Sequence, residues 1–176
     1  MAYERVEQTK GVCGVGFKNR DTPVTKDGKI DPAYRCWANM LARCYSGRYK
    51  SYDAKVCKEW HEYEVFKEWF YQQDWEGKEL DKDIRGDGCL YSPETCIFVS
   101  KQLNNFLVGY KKSEGGPYGS RVMRDGSWLY KVFVRDPFTK KRCYYGSFRD
   151  IDKAREVYAE VKESHFKALL KKEFGE

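Results

Sequence analysis

A long apolar run is the first thing this chain lacks: nothing in its 176 residues approaches the 18 or more that a membrane span needs. The opening Met1-Ala2-Tyr3-Glu4-Arg5-Val6-Glu7 is too acidic and polar for a secretion signal, so a cytoplasmic protein that does not enter the membrane is expected. Histidine is scarce, at two residues, which leaves few imidazoles for proton transfer or metal binding. The cysteines number seven, an odd count in irregular spacing with no Cys-x-x-Cys pair. That pattern excludes the disulfide framework of a small secreted domain and makes reduced thiols the expectation.

What is present is aromatic and basic. Hydrophobic residues make up 41% of the chain and aromatic residues 16%, enough to bury a core and to exclude wholesale disorder. A formal charge of +6 and a pI near 8.8 favour an acidic partner.

Local signals divide the chain into an N-terminal arm over 1–32, a central region over 33–110 and a C-terminal module over 117–174. In the arm, Gly11, Gly14 and Gly16 alternate with Val12, Cys13, Val15 and Phe17, as in an extended ribbon. Asp31-Pro32 supplies a helix start, an acceptor at the cap followed by a proline whose missing N–H does no harm. Trp37, Met40, Leu41 and Cys44 then fall on one apolar helix face that ends at Gly47. A short strand is expected around Ala54–Cys57, and a second helix over Glu62–Gln73 with Val65, Phe66, Trp69 and Phe70 inward. Arg85-Gly86-Asp87-Gly88 is turn chemistry, so Leu80–Ile84 and Cys89–Tyr91 are expected to pair as a hairpin, with Ser92-Pro93-Glu94 starting one helical turn. Lys111-Lys112-Ser113-Glu114-Gly115-Gly116-Pro117 has the composition of a linker. Beyond it, strands are predicted at Ser120–Met123, Trp128–Arg135 and Arg142–Phe148, and a long helix capped by Asp150 closes the chain, with Ala154, Tyr158, Val161 and His165 on one face.

The segment Leu80-Asp81-Lys82-Asp83-Ile84, followed by Tyr91-Ser92-Pro93-Glu94-Thr95-Cys96-Ile97-Phe98-Val99, resembles a His-Asn-His nuclease motif in which Lys82 stands where the general-base histidine is expected. With Trp37–Tyr45, Val56–Trp60 and Phe66–Trp69, it makes the central region similar to a nuclease-related family found in bacteriophage genomes. The resemblance implies a ββα core acting on DNA. Such chemistry needs metal ligands, a base and positive charge at the phosphoryl group. Asp81, Asp83 and Glu94 are the candidate ligands for Mg²⁺ or Mn²⁺, and Lys82 or Arg85 the candidates for the charge. Asp81 and Asp83 alternate on the expected strand and so should point the same way. The histidine base is missing, and His61 would serve only if the fold carried it to Asp81. Cys44, Cys57, Cys89 and Cys96 are candidate ligands for a structural Zn²⁺ of the kind that braces relatives of this fold.

The C-terminal module resembles the Apetala-type, or ethylene-response-factor, DNA-binding domain. The matching pieces are Gly119-Ser120-Arg121, Val134-Arg135-Asp136-Pro137, Lys141–Phe148 and the helix opening Ile151–Tyr158. That domain implies an antiparallel three-stranded sheet laid in the major groove of duplex DNA with one helix behind it. Strand alternation turns Val132 and Val134 to the helix and leaves Lys131, Phe133 and Arg135 on the open face, joined by Arg142 and Tyr144. Arg121 and Arg124 are the expected contacts of the first strand. The expected protein is therefore an α+β, phage-type DNA-binding protein. Two functions fit it: a metal-dependent endonuclease of homing or free-standing type with a degenerate centre, or a binding module without catalysis that holds DNA or blocks a host protein.

Overall fold

The computed structural model describes residues 11–49, 52–112, 120–123 and 125–175. The protein is a mixed α+β chain of two compact units, Met1–Val99 and Ser100–Glu176. Among the described residues, no helix is long and apolar enough to cross a membrane.

The first unit is organised by its first helix. Strands β1 (Thr25–Lys26) and β2 (Lys29–Ile30) form a hairpin over Asp27-Gly28, whose φ angles of 52° and 71° are those of a mirror-image turn. Helix α1 (Pro32–Tyr45) follows, and Asp31 caps it by accepting the Ala33 N–H at 2.8 Å. The same buried carboxylate takes the Tyr71 hydroxyl at 2.7 Å and pairs with Lys67 at 3.0 Å, so one side chain ties α1 to α2 (Tyr63–Tyr71). Trp37, Met40 and Leu41 pack with Tyr63, Phe66 and Phe70 in an aromatic core, as the periodicity predicts. Val65 is a correction: at 40% exposed it lies outside the buried face formed by Tyr63, Phe66 and Phe70. The glycine-rich stretch lies against α1, because a Cβ at Gly16 would overlap Leu41 and come within 2.8 Å of Trp37. Phe17 bridges to Glu62 in parallel.

The expected hairpin does not form. Strand β3 (Lys55–Val56) pairs in parallel with β5 (Leu90–Tyr91), while β4 (Lys78–Asp81) pairs with β6 (Ile97–Ser100). The carbonyls of Cys89 and Tyr91 are taken by the N–H groups of Lys55 and Cys57, at 2.8 and 2.9 Å, which leaves β5 committed to β3. The Ser92 turn closes once, with the Cys96 N–H donated to the Ser92 carbonyl at 3.0 Å, and then passes into β6 rather than into a helix.

The second unit begins with α3 (Lys101–Lys112), a helix the sequence reading did not assign. Lys111 and Lys112 end this helix; residues 113–119 of the expected linker lie outside the described residues. An antiparallel sheet in the order β7 (Ser120–Val122), β8 (Trp128–Arg135), β9 (Arg142–Phe148) packs Val132 and Val134 on Ala154 and Tyr158 of α4 (Ile151–Phe174). The α+β class and the C-terminal sheet-on-helix arrangement are as expected. Asp150 caps α4 through the Asp152 N–H at 2.8 Å.

Candidate functional site

The loop after β4 gathers the residues expected to do chemistry, but in a closed form. The strand ends at Asp81, so Asp81 and Asp83 do not alternate along one strand. Asp81, 4% exposed, turns its Oδ1 onto the N–H groups of Asp83 and Ile84, both at 2.9 Å. This carboxylate caps the loop. Burial pushes its pKa above the ordinary value, although the two amides pull the other way. Lys82, 6% exposed, donates to Asp83 at 2.9 Å and lies over the rings of Tyr52 and Tyr91, 5.3 and 5.5 Å from their centroids. Burial works against its charge, yet Asp83 and Tyr52 outweigh it and hold the ammonium above the usual lysine range. An ammonium so held cannot accept a proton from water at neutral pH. It does not replace the missing histidine.

The parallel pairing of β3 with β5 brings Tyr52 to Tyr91, hydroxyl to hydroxyl at 2.6 Å. Arg43 of α1 reaches the same Tyr91 phenol, whose pKa is raised chiefly by burial. None of Arg43, Tyr52 and Tyr91 stands out in sequence, since nothing local marks an aromatic as a lid over a lysine. His61 sits edge-on to the Tyr45 ring at 5.8 Å, and the charges that act on Asp81 come from Asp83 and Lys82. Glu94 is exposed and held down in pKa by the Ser92 hydroxyl. Arg85 stands in the loop beyond Lys82 as an exposed side chain.

Asp81 Oδ1 accepts from two amides and Asp83 Oδ1 from an ammonium, so one oxygen of each candidate ligand is engaged within the protein. All seven cysteines are free thiols. Burial pushes Cys44 and Cys57 up to about 11 and Cys96 up to about 12, while Cys89 is exposed. Among the described residues, no three His, Cys, Asp or Glu side chains group to hold a metal.

The sheet of the second unit is open where the first cluster is closed. Phe133 and Tyr144 face each other across β8 and β9, with ring centroids 5.2 Å apart. The Arg142 guanidinium covers the Phe133 ring at 4.2 Å, and Arg135, opposite Arg142 in the register, donates to the Lys140 carbonyl at 2.8 Å. Lys131 completes the face. None of β7, β8 and β9 contains an acidic residue, and Lys131, Arg135 and Arg142 make no ion pair among the described residues. Arg121 lies opposite Leu129 in the register; its side chain and the whole of Arg124 lie outside the described residues.

One residue of this face was missed. In a regular strand, Tyr144 and Ser147 would point to opposite sides, being an odd number of residues apart. The register shifts by one between Val132 and Phe133, so Tyr145 is an extra residue, and Ser147 opposes Lys131 as Tyr144 opposes Phe133. Ser147 therefore joins the open face, where its Oγ and the Tyr144 hydroxyl are 2.6 Å apart. Gly146 carries the distortion with φ of 132°, and a Cβ there would come within 2.9 Å of the Phe148 ring.

No family model matches the chain, and no curated protein or solved structure matches it either.

Proposed function

We propose that this protein binds duplex DNA through the open face of its C-terminal sheet, and that the Asp81–Lys82–Asp83 cluster supports the fold of the first unit instead of cutting the strand. The observation that carries the first half is the company of Lys131, Arg135, Arg142, Phe133 and Tyr144 on one face of strands without a carboxylate. Such a face neutralises phosphates and offers arginines to guanine edges. What supports the second half is that Asp81 is spent on two amides and Lys82 is held protonated between two rings. The phage-type resemblance points to the cytoplasm of a bacterial host as the place of action.

The test is duplex binding as a function of salt. Affinity should fall steeply as salt rises, and Arg135→Ala and Arg142→Ala should each weaken binding by about 1–3 kcal/mol. Unchanged affinity in both variants would move the interface elsewhere. Endonuclease chemistry is tested beside it with supercoiled plasmid and Mg²⁺ or Mn²⁺. The plasmid should remain supercoiled, and metal-dependent nicking abolished by Asp81→Asn would restore the catalytic reading.

A further inference from the structure

We infer that the same sheet face also takes single-stranded nucleic acid, with an unpaired base stacked on the ring of Tyr144. The inference rests on the proposal that this face is the nucleic-acid contact, and adds to it a form of substrate and the residue that selects it. Phe133 and Tyr144 are neighbours, but they are not equivalent. The Phe133 ring is already covered by the Arg142 guanidinium, whereas Tyr144 is 56% exposed and no cation covers it among the described residues.

The ring of Tyr144 is also held in place. The bulge at Tyr145 brings Ser147 to the open face, and the bond between the two hydroxyls draws the phenol along the strand instead of letting it stand away from the sheet. Tyr145 packs into the core and Gly146 has no side chain, so nothing rises between the two partners. The result is a flat aromatic surface, fixed at its far end and flanked by Lys131, Arg135 and Arg142 at the spacing of one sheet face.

Charge alone does not distinguish duplex from single strand, because both carry phosphates. A stacking ring does. In a duplex the faces of the bases are already stacked on one another, and a side chain meets only their edges. An unpaired base offers its face, and a base stacked on an aromatic side chain loses a substantial part of its affinity when that ring is removed. Ordering cost favours this arrangement, since Tyr144 is immobilised by Ser147 before any ligand arrives.

The test compares a fluorescein-labelled mixed-sequence single strand with the same sequence as a duplex, by anisotropy at one salt concentration, using the full chain. Tyr144→Ala should weaken single-strand binding by about 5- to 150-fold and duplex binding by a distinctly smaller factor. Tyr144→Phe, which keeps the ring, should retain most of the single-strand affinity, with circular dichroism and melting confirming the fold of both variants. Equal losses on the two ligands, or a phenylalanine variant as weak as the alanine one, would overturn the stacking role. Duplex binding without measurable single-strand binding would overturn the inference and leave the proposed function standing. Binding of neither form would remove both.

Discussion

Lys82 and Arg142 both lie over aromatic rings, and burial separates their roles. In the first unit, Lys82 lies between Tyr52 and Tyr91 with Asp83 as its counter-ion, 6% exposed. In the second, Arg142 lies on Phe133 at the exposed edge of a sheet whose strands hold no acid. A buried cation must have its charge answered inside the protein, and once answered it has little left for a ligand. An exposed cation on a ring keeps its outward donors for whatever arrives. The same residue types thus make a brace in one setting and a contact surface in the other.

That comparison is broken most easily at Asp81. Asp81→Ala leaves two half-buried N–H groups without this acceptor, and urea unfolding should show a loss of about 2–4 kcal/mol. Asp81→Asn keeps an oxygen acceptor and should cost less than about 1 kcal/mol. If alanine were as well tolerated as asparagine, the loop would not depend on this carboxylate.

A somewhat smaller effect contrasts the two cations directly. Lys82→Ala removes the ammonium paired with half-buried Asp83 and seated on two rings, and should lower stability by about 2 kcal/mol without changing DNA affinity. Arg142→Ala should do the reverse, weakening DNA binding while shifting stability by no more than about 0.5 kcal/mol. A Lys82 variant that folds normally and loses DNA binding would erase the distinction drawn between the sites.

Titration sharpens the picture within the first unit, because Asp31 and Asp81 are displaced in opposite directions. For Asp31, burial alone would raise the pKa, but the bonds from Tyr71 and Lys67 outweigh it and the net shift is downward. Its contribution is present above the ordinary value of 3.8 and is lost as pH falls through the depressed folded value. Asp81 is shifted upward, so its ionised form costs stability, and that cost is relieved as pH falls from its raised value towards 3.8. The Asp81→Asn variant should therefore gain on the natural chain as pH rises from 3.8 through the raised folded value of Asp81, and Asp31→Asn should remove part of the acid-induced loss below 3.8. Stability curves for the two variants that run parallel to that of the natural chain over the whole range would contradict both assignments.

The smallest expected response is to metal. Mg²⁺, Mn²⁺ or a chelator should move the melting temperature by less than about 1 °C, since an ion that bound the native state would raise it by mass action. A drop on chelation would point to the thiols of Cys44, Cys57 and Cys96.

Much of the scaffold was legible because its signals are local. Asp31-Pro32 announced α1, Asp150 announced α4, and alternation placed β8 and β9 with their bounds and put Val132 and Val134 on the buried side. Helix α3, absent from the expected elements, is equally local, since Leu103 and Phe106 stand three apart behind the Ser100 cap. The candidate site was less legible. Asp81, Lys82 and Asp83 are neighbours in the sequence, but the side on which each points depends on where the strand stops.

By itself, then, the sequence determined the elements that caps, turns and periodicity specify over a few residues, and the residue types that populate the two cation–aromatic groups. Only the tertiary structure decided which strands pair, since Leu90–Tyr91 had two possible partners, and the contact with Lys55–Val56, far away in the chain, won. It also decided that Tyr52 closes over Lys82 and that an extra residue at Tyr145 swings Ser147 onto the open face. Pairing and bulges are set by contacts between distant segments, and a shift of one residue reverses the face of every side chain beyond it.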